Sequence, residues 1–254
     1  MTENGEKLNK VYKHYVSLGY FCSVALDLER LGLRDASYPL DWCITDLQGG
    51  ILALEKHFEG LLDYELLSQS VAIPDHYRND RYGIHFFHDF NRFEPLSDQL
   101  PSVRSKYERR IERFYRDIQE PTLFIRYILQ AEDGSSAEMA WAEEHREQIE
   151  ALIKSFHPEN EIIYIANEGL AGSLPGLYYV PKDPGDTVSR TPLTTNKQLQ
   201  AYFETADYPK REANLNVYRL KKKKQGALRK GFKKLKTGLK RRFHAAYIHE
   251  KRYG

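Results

Sequence analysis

Hydrophobic positions along this chain alternate between short continuous runs and a helical period. The continuous runs predict strands at residues 12–18, 82–88, 122–129, 161–166 and 177–180. Apolar residues that recur every three or four positions predict helices at residues 24–31, 103–118, 138–156 and 197–204. This β-α-β-α order predicts an α/β fold, with a mostly parallel central sheet flanked by helices.

Three segments with chemically active residues fall near ends of the predicted strands. They are the Gly19–Cys22 turn, His88 and Arg126. In an open parallel sheet, sites lie beyond the carboxyl ends of the strands. The pattern therefore predicts that these three segments converge.

Cys22 lies at a predicted switch from strand to helix. Gly19 permits a tight connection, and the helical period runs from Val24 until Gly32 ends it. A thiol at a helix N-terminus feels the positive end of the helix dipole, which favours the nucleophilic thiolate. The alternative is a small buried hydrophobic residue, which is the common environment of a free cysteine.

Four short motifs stand out between about residues 14 and 170. They are Ser17-Leu18-Gly19-x-x-Cys22, Ser37-x-Pro39-Leu40-Asp41-Trp42, His88-Asp89-Phe90 and Tyr107-x-Arg109-Arg110-Ile111-x-Arg113-Phe114. Together they resemble a bacterial family described as papain-like cysteine peptidases of unknown function, in which Phe is usual at the position of Leu40. The resemblance implies Cys/His chemistry and, as the alternative fold class, an α+β papain-like fold.

The resemblance selects His88, rather than His85, as the base for a Cys22 nucleophile. The two histidines are three residues apart, so on one strand they face opposite sides. A third group usually orients the base, and Asp41 is the candidate because its motif can fold back beside Cys22. The alternative for Asp41 is a turn or capping residue. An N–H of residues 21–23 is the candidate oxyanion donor.

Arg126, Gly19 and Trp42 form the candidate substrate-binding set. Arg126 interrupts an apolar run, and a buried guanidinium needs a carboxylate or an anionic ligand to offset its desolvation. A structural pairing with a core acid is favoured slightly over a substrate carboxylate or phosphate. Core packing is the favoured alternative for Trp42.

The charge is divided between an acidic body and a basic tail. The chain has 254 residues and a net charge of +2, but residues 221–254 hold 14 Lys and Arg against the single acid Glu250. We therefore expect a flexible N-terminus at 1–10, a single α/β domain at 11–220 and a tail at 221–254. No apolar run approaches the roughly 18 residues of a membrane span, and no signal peptide is apparent.

The two cysteines allow one disulfide at most, and an intracellular chain with free thiols is the favoured interpretation. No Cys/His cluster has zinc spacing, and no glycine loop of the usual phosphate-binding types is present. We therefore expect neither a metal nor a cofactor.

The tail has the pattern of a basic amphipathic helix. The residues expected to contact lipid are Lys230, Phe232, Lys233, Lys234, Leu235, Leu239, Arg241 and Arg242. An apolar stripe flanked by Lys and Arg favours an anionic membrane surface, with about 1 kcal/mol for each basic residue near that surface. Nucleic acid is the second candidate ligand, and docking of the tail on the acidic body is the third interpretation.

Three functions fit these features. The first is a Cys/His hydrolase or acyltransferase at the cytoplasmic membrane surface, which acts on a peptide, amide or ester through a thioester on Cys22. The second is a surface-glycan transferase or modifying enzyme that binds a charged sugar donor near Arg126. The third is a non-catalytic adaptor that the tail localises at the inner leaflet.

Overall fold

The fold is known from a computed structural model, which describes residues 7–70, 76–91, 93–208 and 210–229, with side chains up to residue 222 in the last range. The strands are β1 (His14–Ser17), β2 (Cys43–Ile44), β3 (Leu67–Gln69), β4 (Tyr77–Asn79), β5 (Ile84–Phe86), β6 (Thr122–Tyr127), β7 (Glu161–Asn167) and β8 (Leu177–Val180). The helices are α1 (Ser23–Leu31), α2 (Leu47–Glu55), α3 (Leu96–Asp117), α4 (Ala137–Glu144), α5 (Arg146–Phe156), α6 (Pro192–Thr195), α7 (Lys197–Thr205) and α8 (Arg211–Arg229).

A four-stranded parallel sheet in the order β1-β6-β7-β8 organises the fold. Its strands are buried on both faces, because alternate residues of β6 enter two different hydrophobic clusters. Phe124 joins the cluster with α2 to α5, whereas Ile125 joins the cluster with α1 and α7. The predicted parallel sheet flanked by helices is confirmed.

A second, antiparallel sheet in the order β2-β5-β4-β3 was not predicted. Its core residues Ile84 and Phe86 pack into the same cluster as α3. The strand before His88 belongs to this sheet and not to the parallel one, and the convergence of His88 with the carboxyl ends of the parallel strands stays a prediction. The fold is a mixed α/β fold with two sheets, which accommodates the α+β character that the resemblance implied.

The single helix predicted at 138–156 is two helices. α4 ends at Glu144 and α5 begins at Arg146, with His145 between them. The indole of Trp141 stacks on the His145 ring at 4.6 Å between ring centroids. This aromatic pair occupies the corner between the two helices.

α8 docks on α1, the helix that Cys22 caps. Asn214 Nδ2 donates to the carbonyl of Gly32, the C-cap of α1, and Lys221 Nζ lies 3.0 Å from Glu29 Oε1. α8 runs through residues 220 and 221 without a break, so a domain boundary at that point stays a prediction. Within the described ranges, no helix is both long and apolar enough to cross a membrane.

Candidate active site

Cys22 occupies the N-cap position of α1, directly after the turn that leaves β1. The residue is 7 % exposed, and its side chain makes no capping hydrogen bond to the first helical turn. The N-terminus of a helix carries a partial positive charge, which stabilises a thiolate at this position. The described structure contains Cys22 and Cys43 as free thiols.

Gly19 shapes the turn before Cys22. Its φ is +85°, and a Cβ at this position would lie 3.0 Å from Thr45 Cγ2 and 3.1 Å from Arg126 Nη1. The backbone of the turn is held from two sides, since Thr45 N donates to Tyr20 O at 3.2 Å and Tyr127 N donates to Gly19 O at 3.4 Å. Both the backbone conformation and the close approach of its neighbours therefore require glycine here.

Arg126 is fully buried beneath this turn. Its Nε and Nη2 donate to the two carboxylate oxygens of Glu138 at 2.8 and 2.7 Å. The remaining contacts go to the carbonyls of Leu18 and Thr45, both at 2.8 Å. The ion pair with Glu138 is the pairing with a core acid that the sequence analysis favoured. The described contacts of Arg126 do not support a role in substrate binding.

The Ser37–Trp42 motif folds around Arg34, a residue that the sequence patterns did not single out. Asp41 Oδ2 accepts from Arg34 Nε at 3.1 Å and Nη2 at 2.8 Å, and from Tyr38 N at 2.9 Å. Burial raises the pKa of the Asp41 carboxyl, and the Arg34 guanidinium opposes that rise. These contacts assign Asp41 to holding the turn; its role as the orienting group for His88 stays a prediction.

Trp42 lies between Arg34 and His88. The Arg34 guanidinium carbon is 4.9 Å from the centre of the Trp42 ring, and the His88 ring meets the Trp42 ring edge to face at 6.2 Å. Trp42 is half-buried, whereas His88 is exposed. The tryptophan therefore joins its own motif to the histidine.

Asp89 anchors the histidine segment to α3. Its carboxylate accepts a hydrogen bond from Tyr107 OH at 2.8 Å and pairs with Lys106. Tyr107 OH lies 3.2 Å from the Sγ of Cys43, and burial raises the pKa of that thiol to about 12. The third and fourth motifs thus contact each other, and His85 lies buried within β5, opposite Ile44.

Residues 43–45 connect the cysteine turn with the histidine segment. Thr45 pairs with Tyr20, and Cys43 pairs with Phe86 in β5. Phe21 and Phe87, which precede Cys22 and His88 respectively, also pack against the same hydrophobic cluster. The two segments that carry the nucleophile and base candidates therefore share one structural support.

A cavity of about 380 Å³ opens beyond the carboxyl end of β6. Its apolar wall includes Leu129, Ala131 and Trp141, and Asp46 and Asp133 also line it. Asp46 in its wall follows Thr45, the residue that pairs with Tyr20 in the turn before Cys22. The cavity is thus connected to the Cys22 turn through residues 45 and 46.

Two charged residues that hold predicted site residues were not singled out from the sequence. Arg34 is recognisable afterwards as the start of an Arg-x-x-Ser spacing that leads into the Asp41 motif. Glu138 gave no signal, because one acid among many on a polar helix does not stand out. The eight predicted lipid-contacting residues, from Lys230 to Arg242, lie outside the described residues.

The chain belongs to a family of cysteine-peptidase type. The family described as "Putative papain-like cysteine peptidase" matches residues 13–154, more than half of the chain, and this range contains Cys22, Asp41, His88 and Arg126. The predicted family membership is confirmed.

An uncharacterized protein of Acanthamoeba polyphaga mimivirus is 30% identical over 121 residues, which cover 40% of this chain and 54% of that relative. The chain thus spans about half the length of this relative, which is viral, so a bacterial family stays a prediction. No solved structure matches.

Proposed function

We propose that this protein is a cysteine hydrolase in which Cys22 is the nucleophile and His88 is the base. The observation that carries the proposal is the position of Cys22 at the N-terminus of α1, within the matched family range. The chain covers only about half of the viral relative, so that relative does not identify the substrate. Peptides, amides and esters all contain a carbonyl carbon that a thiolate can attack.

The proposed reaction starts with attack of the Cys22 thiolate on the substrate carbonyl carbon. A carbon–sulfur bond forms, and the negative charge that develops on the carbonyl oxygen is stabilised by N–H groups of residues 21–23. Protonated His88 then donates its proton to the leaving amine or alcohol as the old bond breaks. Water, deprotonated by His88, hydrolyses the Cys22 thioester; in an acyl transfer, an acceptor amine or alcohol would replace this water.

The cavity at the end of β6 is the proposed site for the substrate group next to the scissile bond. Its mixture of an indole, aliphatic side chains and carboxylates is typical of a small-molecule or side-chain pocket. The glycan transferase alternative depended on a charged donor near Arg126. Because that guanidinium is fully buried and bound to Glu138, no described contact favours the alternative.

Time-resolved iodoacetamide labelling, mapped by mass spectrometry on the native protein, tests the nucleophile. Cys22 should be alkylated at least about tenfold faster than Cys43 at pH 7, because depressed thiol pKa controls this reactivity and burial raises the pKa of Cys43. The His88→Asn variant should slow Cys22 labelling, whereas the matched His85→Asn variant should not. Equal labelling of both cysteines, or no effect of His88→Asn, would contradict the proposal.

We also propose that residues 221–254 bind the anionic inner leaflet of a cytoplasmic membrane. α8, which leads into this segment, docks on α1 but exposes Val217 and Leu220 just before Lys221 and Lys222. Exposed apolar side chains next to basic residues suit a lipid surface. An adaptor without catalysis would use the same contact.

Sedimentation with phosphatidylserine vesicles tests the tail. The full chain should bind, high salt should weaken binding, and removal of residues 221–254 should abolish it while the body stays folded. Replacing Phe232, Leu235 and Leu239 with Ser should also weaken it, since apolar burial supplies part of the affinity. A different result would contradict the lipid proposal: the three substitutions leave vesicle binding unchanged, and the tail still binds a DNA oligomer tightly. Nucleic acid would then be the assigned ligand of the tail.

A further inference from the structure

We infer that Arg34 is a positioning residue for His88 and that it acts through Trp42. This inference rests on the proposed function, because it assigns a role only if His88 serves Cys22. It names an aromatic side chain as a group that contacts and orients the histidine.

Arg34 is held rigidly by its own contacts. Its side chain is 8 % exposed, and its Nη2 donates to Ser37 Oγ at 2.7 Å in addition to the bonds with Asp41. Its Nη1 lies 3.3 Å from Glu29 Oε2 on α1, the helix that Cys22 caps. Because the guanidinium is planar and bonded along several edges, the direction of its face is fixed.

The fixed guanidinium supports the indole of Trp42. A separation of 4.9 Å from the ring centre is within the range of a cation–π contact, which holds the ring against the cation. The His88 ring lies 6.2 Å away at an interplanar angle of 78°, which is an edge-to-face arrangement. The imidazole also meets the Phe87 ring at 4.6 Å, so Trp42 and Phe87 together limit the positions that it can take.

Asp41 contributes to this arrangement indirectly, through Arg34. Its buried carboxylate holds Arg34, Arg34 holds Trp42, and Trp42 contacts His88. A base that is misplaced by about 1 Å can lose roughly 100-fold in rate, so support of this kind has a measurable effect. A lysine at position 34 would keep a charge for Asp41 but would lack the planar face for Trp42.

The test is the pH profile of Cys22 alkylation by iodoacetamide between pH 4 and 9, followed by mass spectrometry. A thiolate paired with the His88 imidazolium reacts below the ordinary thiol pKa of about 8.5. Arg34→Lys and Trp42→Leu should move the profile to higher pH and reduce the rate at pH 6 by about tenfold, whereas Trp42→Phe should restore most of that rate. Thermal unfolding of each variant separates this effect from loss of fold.

Arg113→Lys is the matched control. Arg113 is also half-buried and also contacts the motif, through Ser37 O at 3.2 Å, and no contact with Trp42 is described for it. This variant should leave the profile unchanged. An equal shift in Arg113→Lys and Arg34→Lys would overturn the inference.

The remaining outcomes separate the inference from the proposed function. A profile that does not depend on His88, tested with His88→Asn, overturns the proposed function and this inference with it. A profile that depends on His88 but is the same in the wild type, Arg34→Lys and Trp42→Leu overturns the inference alone. If Arg34→Lys fails to fold, the comparison of Trp42→Leu with Trp42→Phe decides.

Discussion

Replacing Glu138 with Gln breaks the ion pair beneath the Cys22 turn with almost no change in side-chain volume. Glu138 accepts four hydrogen bonds, from Arg126 Nε and Nη2 and from the backbone N–H groups of Leu47 and Leu129. An amide has one accepting oxygen. In either orientation of the glutamine amide, its NH₂ group would face N–H donors that a carboxylate oxygen of Glu138 accepts in the wild type.

The cost follows from the burial of the pair. The side chains of Arg126 and Glu138 are 0 % and 4 % exposed, so the variant leaves the guanidinium charge buried without a counter-charge. Removal of one partner of a buried pair costs about 3–5 kcal/mol. For a domain of this size, each 1 kcal/mol lowers the melting temperature by about 2–4 °C, so we expect a decrease of roughly 6–20 °C.

Thermal and urea unfolding monitored by circular dichroism measure this loss, with Asp186→Asn as the control. Asp186 pairs with Arg190 at 2.6 Å, but the Arg190 side chain is 61 % exposed, so this variant should lose less than about 1 kcal/mol. Arg126→Met combined with Glu138→Leu should recover part of the loss, because no buried charge remains. Equal melting temperatures for Glu138→Gln and Asp186→Asn would refute the assigned importance of the buried pair.

Two further predictions concern the helices on either side of this turn. In α2, Gly49→Ala would place a Cβ 2.0 Å from the Tyr82 carbonyl and should cost more than about 2 kcal/mol in urea unfolding, whereas Gly50→Ala, whose nearest contact is 3.6 Å, should be neutral or stabilising. In α1, burial raises the pKa of Asp27 to about 6, so the folded protein binds this proton more tightly than the unfolded chain and its stability falls as the pH rises from about 4 to 6. Asp27→Asn should remove that decrease; an unchanged pH slope in urea unfolding would contradict the assignment.

The parallel sheet and its helices were predictable because each element carries a long local pattern. The apolar run at 177–180 coincides with β8, and the helical period that begins after Cys22 ends at Gly32, which adopts a left-handed conformation as the C-cap. A buried parallel strand such as β6 is apolar on both faces, so its sequence shows it directly.

The antiparallel sheet was not predictable in the same way. β2, β3 and β4 have two or three residues each, which is too short for an alternating pattern to be seen. Their pairing also joins residues that are far apart in the chain, such as Cys43 and Phe86. The sequence therefore did not reveal that the strand before His88 belongs to a separate sheet.

The sequence suggested the candidate nucleophile and base, but it did not suggest the charged residues that contact their neighbours. Cys22 and His88 belong to recognisable motifs and residue types with known chemistry. Arg34 and Glu138 are charged residues without a distinctive motif, and only the tertiary structure buries them against Asp41 and Arg126. Local patterns do not encode which acid a buried arginine will meet.

The unbroken course of α8 limits how the start of the basic segment, residues 221–229, can lie relative to α1. Nineteen residues of helix span about 28 Å, and the same rigid rod begins against α1 and continues into the basic segment. A protein attached by a flexible linker sweeps through a large volume around its anchor. If residues 221–254 make the proposed lipid contact, attachment through a continuous helix would set the height and tilt of α1 above that surface. The substrates within reach would then be those presented at that height.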